Sequence, residues 1–425
     1  MELNMALISL IAVIVLFVIG GLGAIQKNPI HLGLMGLLLA FIVGKMAGIK
    51  ETEIMGFFPT ALFVRVFGIM FFFAITQVNG SIELLAKKLL AKVGKNAKLI
   101  PFFLFYVGVF LSSIGINSLA GMAILSGIGI SLAHASNGKP LLYGLAGAYG
   151  IACGCYSPIN EYTINITTAA ESSGLHINLV YVYLFCLVAF SVSFFVVYLI
   201  LGGLQVKGSV ETESVTKELP KFSRAQMVSL LGIIAVVALV VLFNVDIGWS
   251  GIIVGIACLI LGACNCADAV KKVSLSSLML ICGVGTLINL VSKLGGFQLM
   301  SSALASIMST NTVAPIMSFT ASIMAMFTLS RLVVLTLIPT IPGIIASIPS
   351  ASATLAIIGT SAGAFAACMS PLGATGAIVM SNLVQQYGEK EAQSYFAKQI
   401  LMGIVGALVV ALVCFVASVL GIFSA

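Results

Sequence analysis

A chain of 425 residues that is 60% hydrophobic and only 8% charged, with 20 Lys and Arg against 13 Asp and Glu, lies far outside the soluble range of roughly 25% charged residues. That balance specifies an integral membrane protein and excludes a soluble enzyme, a nucleic-acid binder, a disordered chain and a secreted disulfide scaffold. The net charge of +7 then belongs to loops facing a negative membrane surface, not to a phosphate-binding face.

The chain begins Met-Glu-Leu-Asn and enters an apolar run at about residue 5. With no basic leader and no small-residue cleavage pattern, this run reads as a first span and not a removable signal peptide. Runs of about 18 to 25 apolar residues cross a 30 Å hydrocarbon core as helix. In the first half they fall at 5–25, 29–49, 59–79 and 176–204, and in the second at 226–244, 250–265 (a shorter one), 276–292 and 397–422. Before the last span of each half lie two irregular stretches. Segments 100–135 and 313–348 are apolar with a polar centre and too short for two crossings at about 1.5 Å per residue, which predicts re-entrant hairpins. Segments 140–172 and 353–383 are interrupted by proline and polar residues, which predicts broken helices. The expected fold is an all-α polytopic membrane protein of about ten spans plus two hairpins.

Nine cysteines, nearly all inside apolar runs, imply no disulfide framework. The close pairs Cys153 with Cys155 and Cys264 with Cys266 lack a second Cys/His pair at ligand spacing, so neither a transition-metal site nor a cofactor is expected. Basic residues orient the spans through the positive-inside rule. Lys87, Lys88, Lys92, Lys95 and Lys98 form one cluster, and Lys207, Lys217, Lys221 and Arg224 another in the single long hydrophilic segment, 205–225, which also carries Glu211, Glu213 and Glu218. With both in the cytoplasm, Lys27, Lys271 and Lys272 also fall inside, both termini fall outside, and only Lys45 and Lys50 run against the rule.

The hydrophilic linker 205–225 divides the chain into 1–204 and 226–425, which share one order of segments. An odd number of crossings in each half turns the second upside down, an inverted repeat. Cys155-Tyr-Ser157-Pro158 returns as Cys368-Met-Ser370-Pro371, 213 residues on (368 less 155), and the same offset sets Asn117 against Ser330 and Ser118 against Arg331.

Hairpin tips facing broken helices in inverted halves are how secondary transporters build midplane sites. Hydroxyl, amide and freed carbonyl oxygens suit an alkali cation, and half-helix N-termini suit an anion. The candidate substrate ligands are Asn117, Ser118, Ser157, Pro158, Ser330, Arg331, Ser370, Pro371 and Thr375. The candidate cation ligands are Ser113, Asn117, Gly154, Asn160, Glu161, Thr328 and Gly373. Arg331 stands out, because an arginine in an apolar segment costs at least about 3 kcal/mol at mid-membrane and needs a partner or a cavity. Its planar fork suits a carboxylate. The competing role is a structural ion pair with Glu161, and the two roles can alternate as the site fills and empties. Glu161 reads as a proton-coupling carboxylate, a cation ligand or a solvated residue past the break. Arg65 is expected to snorkel to the interface, His134 and His176 to be interfacial, and Phe71, Phe72 and Phe73 to pack or face lipid.

The stretch from about 29 to 130 includes Gly56-Phe57-Phe58-Pro59-Thr60, Leu62-Phe63 and Phe73-Ala74-Ile75-Thr76-Gln77-Val78-Asn79-Gly80. It resembles the N-terminal domain of the MatC-type dicarboxylate carriers, described as malonate carriers, and the architecture resembles the wider divalent-anion/sodium symporter group of the ion-transporter superfamily. In that group a Ser-Asn-Thr motif at each tip binds carboxylate beside Na⁺. Ile116-Asn117-Ser118 keeps the Asn and one hydroxyl, whereas Leu329-Ser330-Arg331 departs by its Arg; Tyr156-Ser157-Pro158-Ile159-Asn160 echoes the group's Gly-Thr-Pro-Pro-Asn. The resemblance implies an elevator mechanism in a homodimer, with 80–98 and 294–312 as hinged arms.

Together these readings predict a secondary transporter of small organic anions, C3 to C4 dicarboxylates such as malonate or succinate, coupled to Na⁺ or H⁺ in a bacterial inner membrane. The alternatives are a cation/proton or inorganic-anion antiporter, which would lean on Glu161, and a membrane-embedded enzyme, for which the spans offer no metal set or Ser/His/acid constellation.

Overall fold

The computed structural model describes residues 2–23, 30–90, 98–136, 138–206, 219–326 and 329–423, and every regular element among them is helical. Thr328, Lys27, Lys92, Lys95 and most of the 205–225 linker, including Lys207, Glu211, Glu213, Lys217 and Glu218, lie outside the described residues. The first half comprises α1 (Glu2–Gly23), α2 (Leu32–Met46), α3 (Glu51–Gly56), α4 (Thr60–Val78), α5 (Ser81–Leu90), α6 (Ile100–Ser113), α7 (Ser118–Ala135), α8 (Pro140–Gly154), α9 (Glu161–Ser172) and α10 (Leu179–Ile200). The second comprises α11 (Arg224–Val241), α12 (Ile247–Ile260), α13 (Cys266–Lys272), α14 (Leu275–Lys293), α15 (Gly296–Ala305), α16 (Val313–Ala325), α17 (Ser330–Leu337), α18 (Ile341–Ser347), α19 (Ala353–Ala367), α20 (Ala374–Tyr387) and α21 (Glu389–Val419).

Local chemistry sets many of these ends. Pro140 opens α8, where its missing N–H is no loss. Asn117, Asn160, Asn178, Asp246 and Asn265 cap α7, α9, α10, α12 and α13 with side-chain oxygens, and Ser223 with Gln226 forms a capping box on α11. Helices α6, α8, α16 and α19 are only 13 to 15 residues long, about 20 to 23 Å of rise, and stop short of a crossing. By length and composition α4, α10, the continuous Ser330–Ser347 stretch and α21 can each cross on their own, and α14 bends by 78° into α15. By sequence 313–348 is too short for two crossings; its second arm, Ser330–Ser347, is long enough for one, because α16 ends early, at Ala325.

Helix starts recur at a nearly constant interval. Leu32, Glu51, Thr60 and Ser81 open α2 to α5, and Ile247, Cys266, Leu275 and Gly296 open α12 to α15, each 215 residues later (247 less 32, and so on). Ile100, Pro140 and Glu161 open α6, α8 and α9, and Val313, Ala353 and Ala374 open α16, α19 and α20, each 213 later. The packing recurs with the bounds. A Cβ on Gly150 would stand 2.1 Å from the Phe105 carbonyl oxygen, and one on Gly363 would stand 2.3 Å from that of Ser318, both positions again 213 apart. Small residues at such crossings are how membrane helices approach closely.

Between the halves the contacts are reciprocal. Helix α2 crosses α14 at Gly33, Gly36 and Gly283, and α4 crosses α12 at Gly68, Gly248 and Gly251. Likewise α7 packs on α20 and α9 on α17, while α10 packs on α21. Phe71, Phe72 and Phe73 of α4 are all buried, so they pack inside the protein and do not face lipid.

Candidate functional site

The α6–α7 turn and the α8–α9 turn are stitched together by short polar side chains. Ser157 Oγ donates to the Ser113 carbonyl (2.7 Å), and Asn160 Nδ2 donates to the Ser112 carbonyl (2.9 Å). Ser113 Oγ meets Tyr183 Oη at 2.8 Å. Gly115 sits at the turn with φ +99, a conformation open to glycine, against the ring of Phe73. These bonds use the backbone carbonyls freed where the helices stop.

With the turns so fixed, four helix N-termini converge. Asn117 and Glu161, at the starts of α7 and α9, line a cavity of about 220 Å³ together with Gln77, Lys272 and Ser274. Ser118, Ser330, Arg331 and Thr375, at the starts of α7, α17 and α20, line a second cavity of about 400 Å³ together with His31 and Ser276. Leu119 and Ser274 line both, so the cavities meet there. Each terminus brings a fraction of a positive charge, roughly +0.5. The first-half termini are capped by their own asparagines; Leu329 and Gly373, at the cap positions of α17 and α20, provide no side-chain acceptor, and at α20 the Gly376 N–H donates to the Cys368 carbonyl instead.

Arg331 and Glu161 join across the cavities. Both are buried, at 7% and 3% exposure, and Arg331 Nη2 donates to Glu161 Oε1. The same carboxylate oxygen accepts from Asn117 Nδ2 at 2.8 Å, and Arg331 Nη2 also reaches Ser118 Oγ at 3.3 Å. Glu161 is therefore not the solvated residue that its place past a break allowed. One turn along α9, Asn165 is fully buried; its Nδ2 donates to the Glu161 carbonyl, while its Oδ1 has no partner among the described residues. Such an orphaned acceptor is costly unless an unseen ligand or water meets it.

Of the sequence candidates, Asn117, Ser118, Glu161, Ser330, Arg331 and Thr375 thus line the cavities. Ser113, Gly154, Ser157, Pro158, Asn160, Ser370, Pro371 and Gly373 line neither. Ser157 and Asn160 are spent on the stitching, and Ser370 is fully buried against Gly403. Thr375 Oγ1 donates to the Cys368 carbonyl. The sequence missed His31, Gln77, Lys272 and Ser274, which sit at or just beyond span ends and there read as boundary residues. His31 is held by Ser276 (Nε2 to Oγ, 2.9 Å). Among the described residues no cluster of three or more His, Cys, Asp or Glu could hold a metal ion.

Arg65, near the start of α4, lines neither cavity and is held by two acids. Its Nε donates to Asp246 Oδ2 (2.8 Å) and its Nη1 to Glu171 Oε2 (3.1 Å), joining α4, α9 and α12. His134 lies edge-on to Tyr387, 5.4 Å between ring centres.

Residues 3–155 match the family described as the dicarboxylate carrier protein MatC N-terminus. No curated protein matches the chain significantly. The crystal structure of the Alcanivorax borkumensis YdaH transporter superposes with a TM-score of 0.64 over 99% of this chain and 99% of that one, at 12% sequence identity. Over residues 3–155 the chain is thus similar to the N-terminal region of a dicarboxylate carrier family, and over its length it shares the fold of a solved transporter.

Proposed function

We propose that this chain is a secondary active transporter of small organic anions, foremost C3 to C4 dicarboxylates such as malonate or succinate, driven by a gradient of Na⁺ or H⁺. One observation carries the reading: a buried arginine at a helix start, held by a buried glutamate between two cavities into which four helix N-termini point. A buried guanidinium costs free energy unless a carboxylate meets it. Glu161 meets it here, and a substrate carboxylate has the same shape and charge.

The match to a dicarboxylate carrier region supports the choice of substrate. The recurrence of helix starts and the reciprocal crossings support an inverted repeat built from 1–204 and 226–425, and with it ten spans, two re-entrant hairpins and alternating access by an elevator motion in a homodimer. The polar walls Gln77, Lys272 and Ser274, together with His31 and Ser276, lie at the ends of spans that the positive-inside rule assigns to the cytoplasm, which supports an inward-open site in a bacterial inner membrane with both termini outside. Coupling follows from charge. When a substrate carboxylate takes the fork of Arg331, Glu161 loses its counter-ion and needs a proton or a cation, for which the free oxygen of Asn165 is one turn away.

Uptake of labelled malonate, succinate and citrate into proteoliposomes, under an imposed Na⁺ or H⁺ gradient, tests the proposal. Gradient-driven accumulation of at least one C3 to C4 dicarboxylate is expected. No uptake of any of them under either gradient rejects it.

A further inference from the structure

Lys272 ends α13, a short helix packed against α4. It lines the smaller cavity, where Glu161 is the only other charged residue among the described residues. Arg331 and Glu161 neutralise one another, and Lys272 makes no ion pair among the described residues. Leaving His31 aside, the charge facing the two cavities therefore sums to that of one lysine. Ser274, two residues on from Lys272, lines both cavities, so the short segment that carries the lysine reaches the place where they meet. Lys272 is exposed on one cavity and Arg331 buried on the adjoining one, which makes two positive points on one connected space.

Resting on the transport reading above, we infer that Lys272 is the specificity residue for the second carboxylate. Arg331 takes one carboxylate of the substrate in its fork, displacing Glu161, and Lys272 takes the other as a point charge. A monoanion leaves Lys272 unanswered, so the site selects dianions. The count also sets the coupling: two cationic side chains against a dianion and Glu161 leave one negative charge, which a single proton or alkali cation neutralises.

Isothermal titration of the purified full-length protein with succinate and with its half-amide succinamate, a monoanion of nearly the same shape, reads this directly. The wild-type protein is expected to prefer succinate. In Lys272→Gln the succinate affinity falls roughly 10- to 100-fold, the worth of one charge-assisted hydrogen bond, while the succinamate affinity stays put; Lys272→Arg restores the preference. An unchanged preference in Lys272→Gln, or an equal loss for both ligands, overturns the assignment and leaves the transport reading standing. Wild-type protein that binds neither ligand, nor malonate and malonamate in the same assay, overturns both.

Discussion

Arg331 and Glu161 hold each other where water barely reaches, so deleting one leaves the other charged and buried, a loss on the order of 3 to 5 kcal/mol. Arg331→Ala is therefore expected to lower the melting temperature in detergent and abolish anion uptake together, which alone cannot separate support from recognition. The paired change Arg331→Leu with Glu161→Leu separates them. It removes both charges, restores most of the stability, and still fails to bind the anion. Persistent uptake by the double variant would assign the pair to structure alone. Both residues are legible in the sequence, because an isolated charge in an apolar run must be answered by something. Lys272 is not: beside Lys271 at the end of a short helix it reads as a surface charge, and only the fold brings it to the cavity of Glu161.

Elements meet at glycines placed by the recurrence. Adding a methyl group at Gly150 drives it onto the Phe105 backbone oxygen of α6, and adding one at Gly363 drives it onto the Ser318 oxygen of α16. Backbone cannot swing aside as a side chain can, so Gly150→Ala and Gly363→Ala are each expected to cost about 1 to 3 kcal/mol, seen as comparable falls in melting temperature. Gly56→Ala, where a Cβ would meet nothing within 4 Å, serves as the control. The breaks themselves are legible, since proline, serine and glycine interrupt apolar runs twice at one offset. The difference in how they are closed is not. Asn117 and Asn160 cap the first-half helices, whereas Leu329 and Gly373 leave the second-half starts without side-chain caps. Leucine and glycine carry no side-chain acceptor, but which residue falls at a cap depends on where the helix starts, and residue spacing does not fix that.

Across the whole molecule, α4 and α9 run side by side in opposite directions: Gln77 and Glu161 line one cavity, while Arg65 and Glu171, near the other ends of the same helices, form an ion pair. Twelve residues of helix separate Arg65 from Gln77 (77 less 65), roughly 18 Å, so the Arg65 cluster fastens the end remote from the cavities. Its members are 30 to 51% exposed, and pairs of that kind are worth about 1 kcal/mol or less. Arg65→Gln is expected to raise amide exchange at the end of α9 by up to about fivefold, leaving the start of α7 unaffected; uniform exchange across both would show that the cluster fastens nothing. In the proposed transporter the ion pair between Glu161 and Arg331 has a kinetic meaning as well. A carboxylate fixed on the chain is a competitor that never diffuses away, so every arriving anion is held by the difference between two similar attractions. Such a site has a modest affinity and a fast release, and one glutamate tunes both.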